Sequence, residues 1–307
     1  MTTAEPSLAT TWPGADVDRR TVRPGGVPVS ALVAEVPRPR AVIVALHGAA
    51  TSSVYFDHPG HPRLSLLRTA AALGFTVVAV DRPGYGGSAG HDEDLPTHQA
   101  RTDLLFAAVD ALLEGSEHGR GLFLWAHSAG CQPALRMATD PRGVGVLGLE
   151  LAGMGREPHW RRREALDQWR RDPSGPRPRL RVWEPPDAYP ADVYGGARIG
   201  SPTPAYEMRH RETWREEIVG VAARCHVPVH ITLSEHEEVW RSGPEALADL
   251  ASLFTSAPRV VTAEQAGAGH NISVGHTALA YHLRVLAFVE ECALGVRDLP
   301  FEEQRHE

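Results

Sequence analysis

Lysine is absent from this chain of 307 residues, and asparagine occurs once, at position 271. All 31 basic residues are therefore arginines, and the 38 acidic residues outweigh them to give a formal net charge of -7. An acidic balance of this kind offers no general attraction for nucleic acid or for an anionic membrane. The charge balance therefore predicts a protein that binds neither of them.

Cysteine and long apolar runs are also scarce. The three cysteines, Cys131, Cys225 and Cys292, share no close spacing, so neither a disulfide framework nor a metal cluster is predicted. The first thirty residues lack a secretory signal, and no segment approaches the roughly 20 apolar residues that a membrane span requires. We therefore expect a soluble, cytoplasmic protein.

Apolar runs that read as strands alternate with amphipathic segments that read as helices. The predicted strands include AVIVALHG (41–48), FTVVAV (75–80) and GLFLWAHS (121–128), followed later by VPVHITL (227–233) and RVVTAEQ (259–265). Such alternation is typical of parallel strands with helices packed on both faces. The sequence therefore predicts an α/β fold with a mostly parallel twisted sheet of about eight strands.

The chain divides into three parts on composition. Residues 1–26 are polar and contain proline and glycine, which predicts a loose N-terminal arm. The strand–helix rhythm breaks between residues 154 and 224, where prolines, arginines and four of the seven tryptophans collect. We interpret residues 154–224 as a helical cap inserted after the sixth strand, and residues 27–153 and 225–307 as the core domain.

Arginine is concentrated inside the predicted cap. Residues 160–181 hold eight arginines against three acidic residues, in a chain whose total charge is negative. One interpretation is a solvated helical face with ion pairs between neighbouring turns. The other is a docking patch for an anionic partner, such as an acyl carrier protein or a CoA thioester.

A serine stands where a predicted strand meets a helix, in the stretch AHSAG. Ser128 is flanked two positions away by Ala126 and Gly130, and a sharp strand-to-helix turn tolerates only small residues there. The helix that follows directs amide groups toward any negative charge that develops beside the serine. The pattern predicts a nucleophile, although a serine that only caps the helix would look the same.

A serine nucleophile needs a base, and the base needs an acid to orient it. His270 lies in the glycine-rich loop AGAGHNIS, after a strand and before the last helix, which favours it as the base. Glu237 in SEHEEVW follows another strand and is the favoured acid. Glu235 in the same cluster and Glu150, inside the apolar strand LGLELAG, remain alternatives.

The end of the strand AVIVALHG predicts an oxyanion site. Gly48 would let the chain turn sharply, so that the amide of Ala49 faces the reacting centre. Together with the amide of Ala129, it would form a two-donor oxyanion hole, worth roughly 10²- to 10³-fold in rate per donor.

The order of these motifs resembles that of the α/β-hydrolase superfamily over roughly residues 27–292. DRPGYGGS is similar to the glycine-rich loop after the fourth strand of that superfamily, which implies structural roles for Asp81 and Ser88. Two positions depart from the usual pattern: Ala126 replaces a glycine, and Glu237 stands where an aspartate is most common. The serine at position 128 excludes relatives that use an aspartate nucleophile, and Cys131 is interpreted as a packing residue.

The sequence therefore predicts a hydrolase of carboxylic esters or thioesters that acts on a small-molecule acyl substrate. Neither a metal nor an organic cofactor is implied. The alternatives are a tailoring enzyme of a biosynthetic pathway, catalysing elimination, acyl transfer, cyclisation or C–C hydrolysis, and a non-catalytic small-molecule binding module. The acyl group, the leaving group and the oligomeric state do not follow from the sequence.

Overall fold

The computed structural model describes residues 16–176, 178–210 and 213–295. In these residues, eight strands form one sheet in the order β1-β2-β4-β3-β5-β6-β7-β8. Strand β2 is antiparallel to β1 and β4, and the other neighbours are parallel. The strands are β1 Asp18–Val22, β2 Val29–Ala34, β3 Val42–Leu46, β4 Thr76–Val80, β5 Leu122–His127, β6 Val146–Ala152, β7 Val229–His236 and β8 Val260–Gly269.

The helices cover both faces of the sheet, so the predicted α/β architecture is confirmed. Helices α1 and α8 pack on one face, and α2, α3, α6 and α7 pack on the other. The helices are α1 Leu66–Ala72, α2 His98–Leu112, α3 Cys131–Thr139, α4 Trp160–Arg171, α5 Ala205–His210, α6 Trp214–Ala222, α7 Pro244–Ala251 and α8 Ala278–Leu294. No helix of the described residues is long and apolar enough to cross a membrane.

The central strands are buried along their whole length, which explains their unbroken apolar sequence. Every residue of β3 and β4 is buried, because helices cover both of their faces. Valine and isoleucine dominate these strands, and β-branched side chains pack well on a pleated surface. The carboxyl ends of β3, β5, β7 and β8 all meet at one edge of the sheet.

The N-terminal segment differs from the prediction of a loose arm over residues 1–26. Asp18–Val22 forms β1 and pairs antiparallel with β2, whereas residues 1–15 lie outside the described residues. The strand is polar because it is an edge strand with mostly exposed side chains. Its backbone pairing, rather than an apolar pattern, holds it in place, which is why the sequence did not indicate it.

The chain between β6 and β7 carries α4, α5 and α6 and lies against the sheet edge where the strands end. Ser201 N donates to Ala50 O at 3.0 Å, and Tyr206 Oη donates to Pro83 O at 2.6 Å.

A second difference from the sequence analysis is α7, which joins β7 to β8. Parallel neighbours require a crossover connection, and this helix supplies it.

Candidate active site

Ser128 follows β5 directly and adopts a left-handed backbone conformation, with φ +51°. That region is strained for a residue with a Cβ, and such strain is concentrated at functional turns. Gly130 is required two residues later, since an added Cβ would lie 2.2 Å from Leu46 O. Ala126 is completely buried in β5, and its single methyl group is accommodated where the pattern more often has glycine.

The structure brings Ser128, His270 and Glu237 together. Ser128 Oγ lies 3.0 Å from His270 Nε2, and both carboxylate oxygens of Glu237 lie 2.9 Å from His270 Nδ1. A carboxylate only accepts, so Nδ1 carries the proton and Nε2 presents a lone pair to the serine hydroxyl. Both His270 and Glu237 are buried, with exposed fractions of 1% and 3%.

The backbone after β7 holds the Glu237 carboxylate in place. Oε1 accepts a hydrogen bond from Val239 N at 2.8 Å, and Oε2 accepts one from Ser234 Oγ at 3.2 Å. These two hydrogen bonds hold the carboxylate in place, and both of its oxygens also contact Nδ1 of His270. Glutamate is one methylene longer than the aspartate that is most common at this position. These two hydrogen bonds hold the longer side chain so that its carboxylate contacts His270.

Among the three candidate acids, only Glu237 contacts His270. Glu150 lies inside the sheet and pairs with His230 on β7, with 2.5 Å between Oε2 and Nδ1. Glu235 is exposed and accepts a hydrogen bond from Gly267 N at 2.8 Å. The distance from the carboxylate to the imidazole thus separates three glutamates that the sequence left open.

The loop after β3 is oriented through one carbonyl group. Gly48 O accepts hydrogen bonds from His47 Nδ1 at 2.8 Å, Arg82 Nη2 at 2.9 Å and Thr51 Oγ1 at 3.2 Å. Because a trans peptide points its C=O and N–H in opposite directions, these donors also orient the amide of Ala49. Ala49 and Ala129, the two predicted oxyanion donors, line the same cavity as Ser128.

Arg82 is a site residue that the sequence analysis missed. Besides binding Gly48 O, its Nη2 lies 2.9 Å from Glu207 Oε2 in a buried ion pair. Glu207 belongs to α5, so the pair connects the segment between β6 and β7 to the loop after β3. The neighbouring residues Asp81 and Ser88 have structural contacts, since Asp81 accepts from Ser53 N and Ser88 Oγ donates to Tyr85 O.

His127 is a second residue that the motif did not single out. Its Nε2 lies 2.9 Å from His270 O, and because a carbonyl only accepts, Nε2 carries the proton. Burial, with the neighbouring His270 as a second cause, lowers the pKa of His127 to about 3. A neutral imidazole therefore anchors the backbone of the loop that carries His270. Only its position next to Ser128 could have suggested this contact.

Two cavities meet at Ser128. The first is about 70 Å³, and its wall includes Met154, Trp214, Val239 and Trp240 together with the charged residues Arg162 and Glu207. The second is larger, about 270 Å³, and His270 lies in its wall. Other residues that line the second cavity include His127, Thr51, Val182, Trp183, Thr203 and Asn271.

The arginine-rich stretch is partly neutralised by nearby carboxylates. Arg161 and Arg181 both contact Glu238, at 2.7 Å and 2.8 Å, and Arg170 contacts Asp167 one turn away. These contacts agree with a solvated helical face, and the docking patch stays a prediction.

Cys131 is buried at the start of α3, where burial raises the pKa of its thiol. No group of three potential ligands for a metal ion occurs in the part of the chain that the structure describes.

A mostly parallel sheet that carries a serine on a strained turn, with a histidine and a carboxylate at the same edge, is typical of α/β hydrolases. A sequence model of the alpha/beta hydrolase family matches residues 43–290. The chain therefore belongs to the alpha/beta hydrolase family. No curated protein sequence matches it.

Solved structures show the same fold. A lipase in an open form has a TM-score of 0.66 at 17% identity, covering 91% of this chain and 99% of that chain. A thermostable carboxyl esterase from Bacillus coagulans has a TM-score of 0.63 at 16% identity, covering 90% and 99%. The thioesterase domain from the curacin biosynthetic pathway has a TM-score of 0.56 at 17% identity, covering 91% and 99%. At these identities the likeness establishes the fold.

Proposed function

We propose that this protein is a serine hydrolase that cleaves a carboxylic ester or thioester through an acyl-enzyme intermediate. The observation that carries the proposal is the contact chain from Ser128 Oγ through His270 to Glu237, with distances of 3.0 Å and 2.9 Å. A hydroxyl next to an imidazole lone pair, itself oriented by a carboxylate, is the arrangement that activates serine as a nucleophile. Fold relatives that are esterases, lipases and thioesterases are compatible with this chemistry.

In the acylation half of the reaction, Ser128 Oγ attacks the carbonyl carbon while His270 Nε2 takes the hydroxyl proton. Glu237 stabilises the imidazolium that forms. The carbonyl electrons move onto oxygen, where the amides of Ala49 and Ala129 stabilise the negative charge. When the intermediate collapses, the bond to the leaving group breaks, and His270 gives its proton to the departing oxygen or sulfur.

In the second half, water repeats the sequence on the acyl-enzyme. His270 Nε2 takes a proton from water, the hydroxide adds to the ester carbonyl, and the proton returns to Ser128 Oγ as the carboxylic acid leaves. One bond to the acyl carbon forms and one breaks in each half, so the serine is regenerated.

The two cavities at Ser128 correspond to the two sides of the scissile bond. The leaving group must receive its proton from His270, and His270 lines only the second cavity. We therefore assign the second cavity to the leaving group and name it the leaving-group cavity. The first cavity, on the other side of Ser128, then accepts the acyl chain. Residues 154–224 supply part of both walls, so the part of this segment before α6 would act as the cap, whereas α6 packs on one face of the sheet.

A fluorophosphonate reagent tests the nucleophile. It should label the wild type and spare Ser128→Ala, while the exposed Ser252→Ala serves as a matched serine control that labels normally. Hydrolysis of 4-nitrophenyl butanoate should fall in Ser128→Ala by roughly 10⁴-fold or more. Turnover in ¹⁸O-water should place solvent oxygen in the acid product. Equal labelling of Ser128→Ala and the wild type would overturn the proposal.

A further inference from the structure

The single asparagine of the chain lies in the wall of the leaving-group cavity, immediately after His270. Its backbone N–H donates to Tyr189 Oη at 3.1 Å, and its side-chain Nδ2 donates to Val182 O at 2.8 Å. Asn271 is therefore held from two directions by residues of the segment between β6 and β7. Only 4% of the residue is exposed.

These contacts determine which way the amide faces. A backbone carbonyl can only accept a hydrogen bond, so the atom next to Val182 O must be the NH₂ group. Oδ1 then points the other way. It has no hydrogen-bond partner among the described residues, yet it belongs to a side chain that lines the cavity. The cavity wall thus presents an acceptor that the protein itself does not use.

Two other polar side chains in this wall have partners, and His127 Nδ1, which has none among the described residues, is completely buried and so is not open to the cavity. Thr51 Oγ1 donates to Gly48 O at 3.2 Å. His270 is engaged by Glu237 and Ser128. No arginine, aspartate or glutamate of the described residues lines the cavity. The ligand group that best satisfies Oδ1 is therefore a neutral donor rather than an ammonium.

We propose that Asn271 Oδ1 accepts a hydrogen bond from the leaving group of the substrate. The preferred leaving group carries a neutral O–H or N–H close to the reacting oxygen or sulfur, because Asn271 adjoins the histidine that protonates that atom. Two sources share this chemistry: the free hydroxyl of a diol or polyol monoester, and the amide N–H of an N-acylcysteamine thioester. This inference rests on the proposed function and specifies its substrate class.

Matched substrates test the inference without any mutation. The alcohol pair is 2-hydroxyethyl butanoate and 2-methoxyethyl butanoate, and the thioester pair is S-butanoyl-N-acetylcysteamine and its N-methyl analogue. In each pair the second member keeps the acceptor atoms and loses the donor. Leaving Oδ1 unsatisfied should lower kcat/KM by about 10-fold. Discrimination in one pair alone supports the proposal and identifies the source.

Asn271→Leu removes the acceptor with little change in shape, and it also removes the Nδ2 hydrogen bond to Val182 O. We expect it to abolish the discrimination within the pair; the readout is the ratio of the two kcat/KM values, in which any loss of activity common to both substrates cancels. Tyr189→Phe is the matched control, because it loosens the same loop but leaves Oδ1 in place. Its discrimination should stay at the wild-type value.

The acyl-enzyme separates this inference from the proposed function. The leaving group has departed before deacylation, so in each protein the deacylation rate of the butanoyl-enzyme should be equal for both members of a pair. A butanoyl group on Ser128 with equal kcat/KM within both pairs would overturn the role of Asn271 alone. Discrimination that persists in Asn271→Leu would overturn it as well. Failure to acylate Ser128 would overturn the proposed function.

Discussion

Two buried glutamate–histidine pairs occur in the described residues and differ in their surroundings. The first is Glu237 with His270, and the second is Glu150 with His230, with closest oxygen–nitrogen distances of 2.9 Å and 2.5 Å. Only in the first does a hydroxyl, that of Ser128, contact the imidazole nitrogen opposite the carboxylate; in the second, Thr232 Oγ1 lies 3.2 Å from Nδ1, the nitrogen that faces the carboxylate. Neither Glu150 nor His230 lines either of the two cavities at Ser128.

The second pair is built into regular structure. Glu150 and His230 are direct neighbours on β6 and β7, and the other oxygen of Glu150 accepts a hydrogen bond from Tyr281 on α8 at 3.1 Å. The first pair instead lies on the loops beyond the strand ends, beside the strained turn at Ser128. A carboxylate–imidazole contact is therefore not a site by itself, because a nucleophile and access to substrate are also needed.

The largest expected effect comes from removing the two acids in turn. Glu237→Gln should lower kcat/KM for 4-nitrophenyl butanoate by about 10⁴-fold, since the amide no longer stabilises the imidazolium or fixes its tautomer. Glu150→Gln should keep activity near that of the wild type and lower the free energy of unfolding by about 1–3 kcal/mol, because it weakens a buried hydrogen bond. Activity assays and urea unfolding of both variants measure the contrast. A reversed pattern would mean that Glu150 is the acid.

A smaller effect concerns the pH dependence of stability near the second pair. His282 adjoins Tyr281 on α8, is fully buried, and has no hydrogen-bond partner for either ring nitrogen among the described residues. Burial lowers its pKa to about 3. Between pH 6.5 and 3 the unfolded chain binds a proton there and the folded chain does not, so stability falls as the pH falls, by about 1.4 kcal/mol per pH unit for each such histidine.

His282→Leu should remove that contribution. The variant should gain stability relative to the wild type progressively as the pH is lowered from 7 toward 4, as measured by urea unfolding at each pH. His127, whose pKa is also lowered to about 3, keeps the same dependence in both proteins. Activity at pH 8 should not change, because His282 contacts neither Ser128 nor His270. A constant stability difference across this pH range would contradict the prediction.

The smallest effect concerns the strained backbone of Ser128, which lies next to the first pair only. For a residue with a Cβ, the backbone conformation at φ +51° costs about 1 kcal/mol of folded-state stability, whereas glycine adopts this conformation without strain. Ser128→Gly should therefore be more stable than Ser128→Ala by about 1 kcal/mol in thermal or urea unfolding, despite the greater entropy of the unfolded glycine chain. Equal stabilities of the two variants would show that the turn is not strained.

Local sequence patterns predicted the fold class, and they pointed to Ser128 and His270, which the structure brings together in the candidate site. Alternating apolar strands and amphipathic helices require a covered parallel sheet, and Ser128 and His270 each follow a strand in a loop of small residues. Such signals lie within a few residues of the position they indicate. They are therefore readable without knowledge of distant contacts.

Tertiary structure decided which carboxylate meets the histidine and how the site is held. Glu237, Glu235 and Glu150 all belong to segments at or near strand ends, and only the pairing of β6, β7 and β8 sets their distances to His270. The Arg82–Glu207 pair joins residues 125 positions apart, which no local pattern reports. Edge strand β1 likewise depends on its partner rather than on its own composition. The physical reason is common to all of them: these interactions exist only between segments that folding brings together.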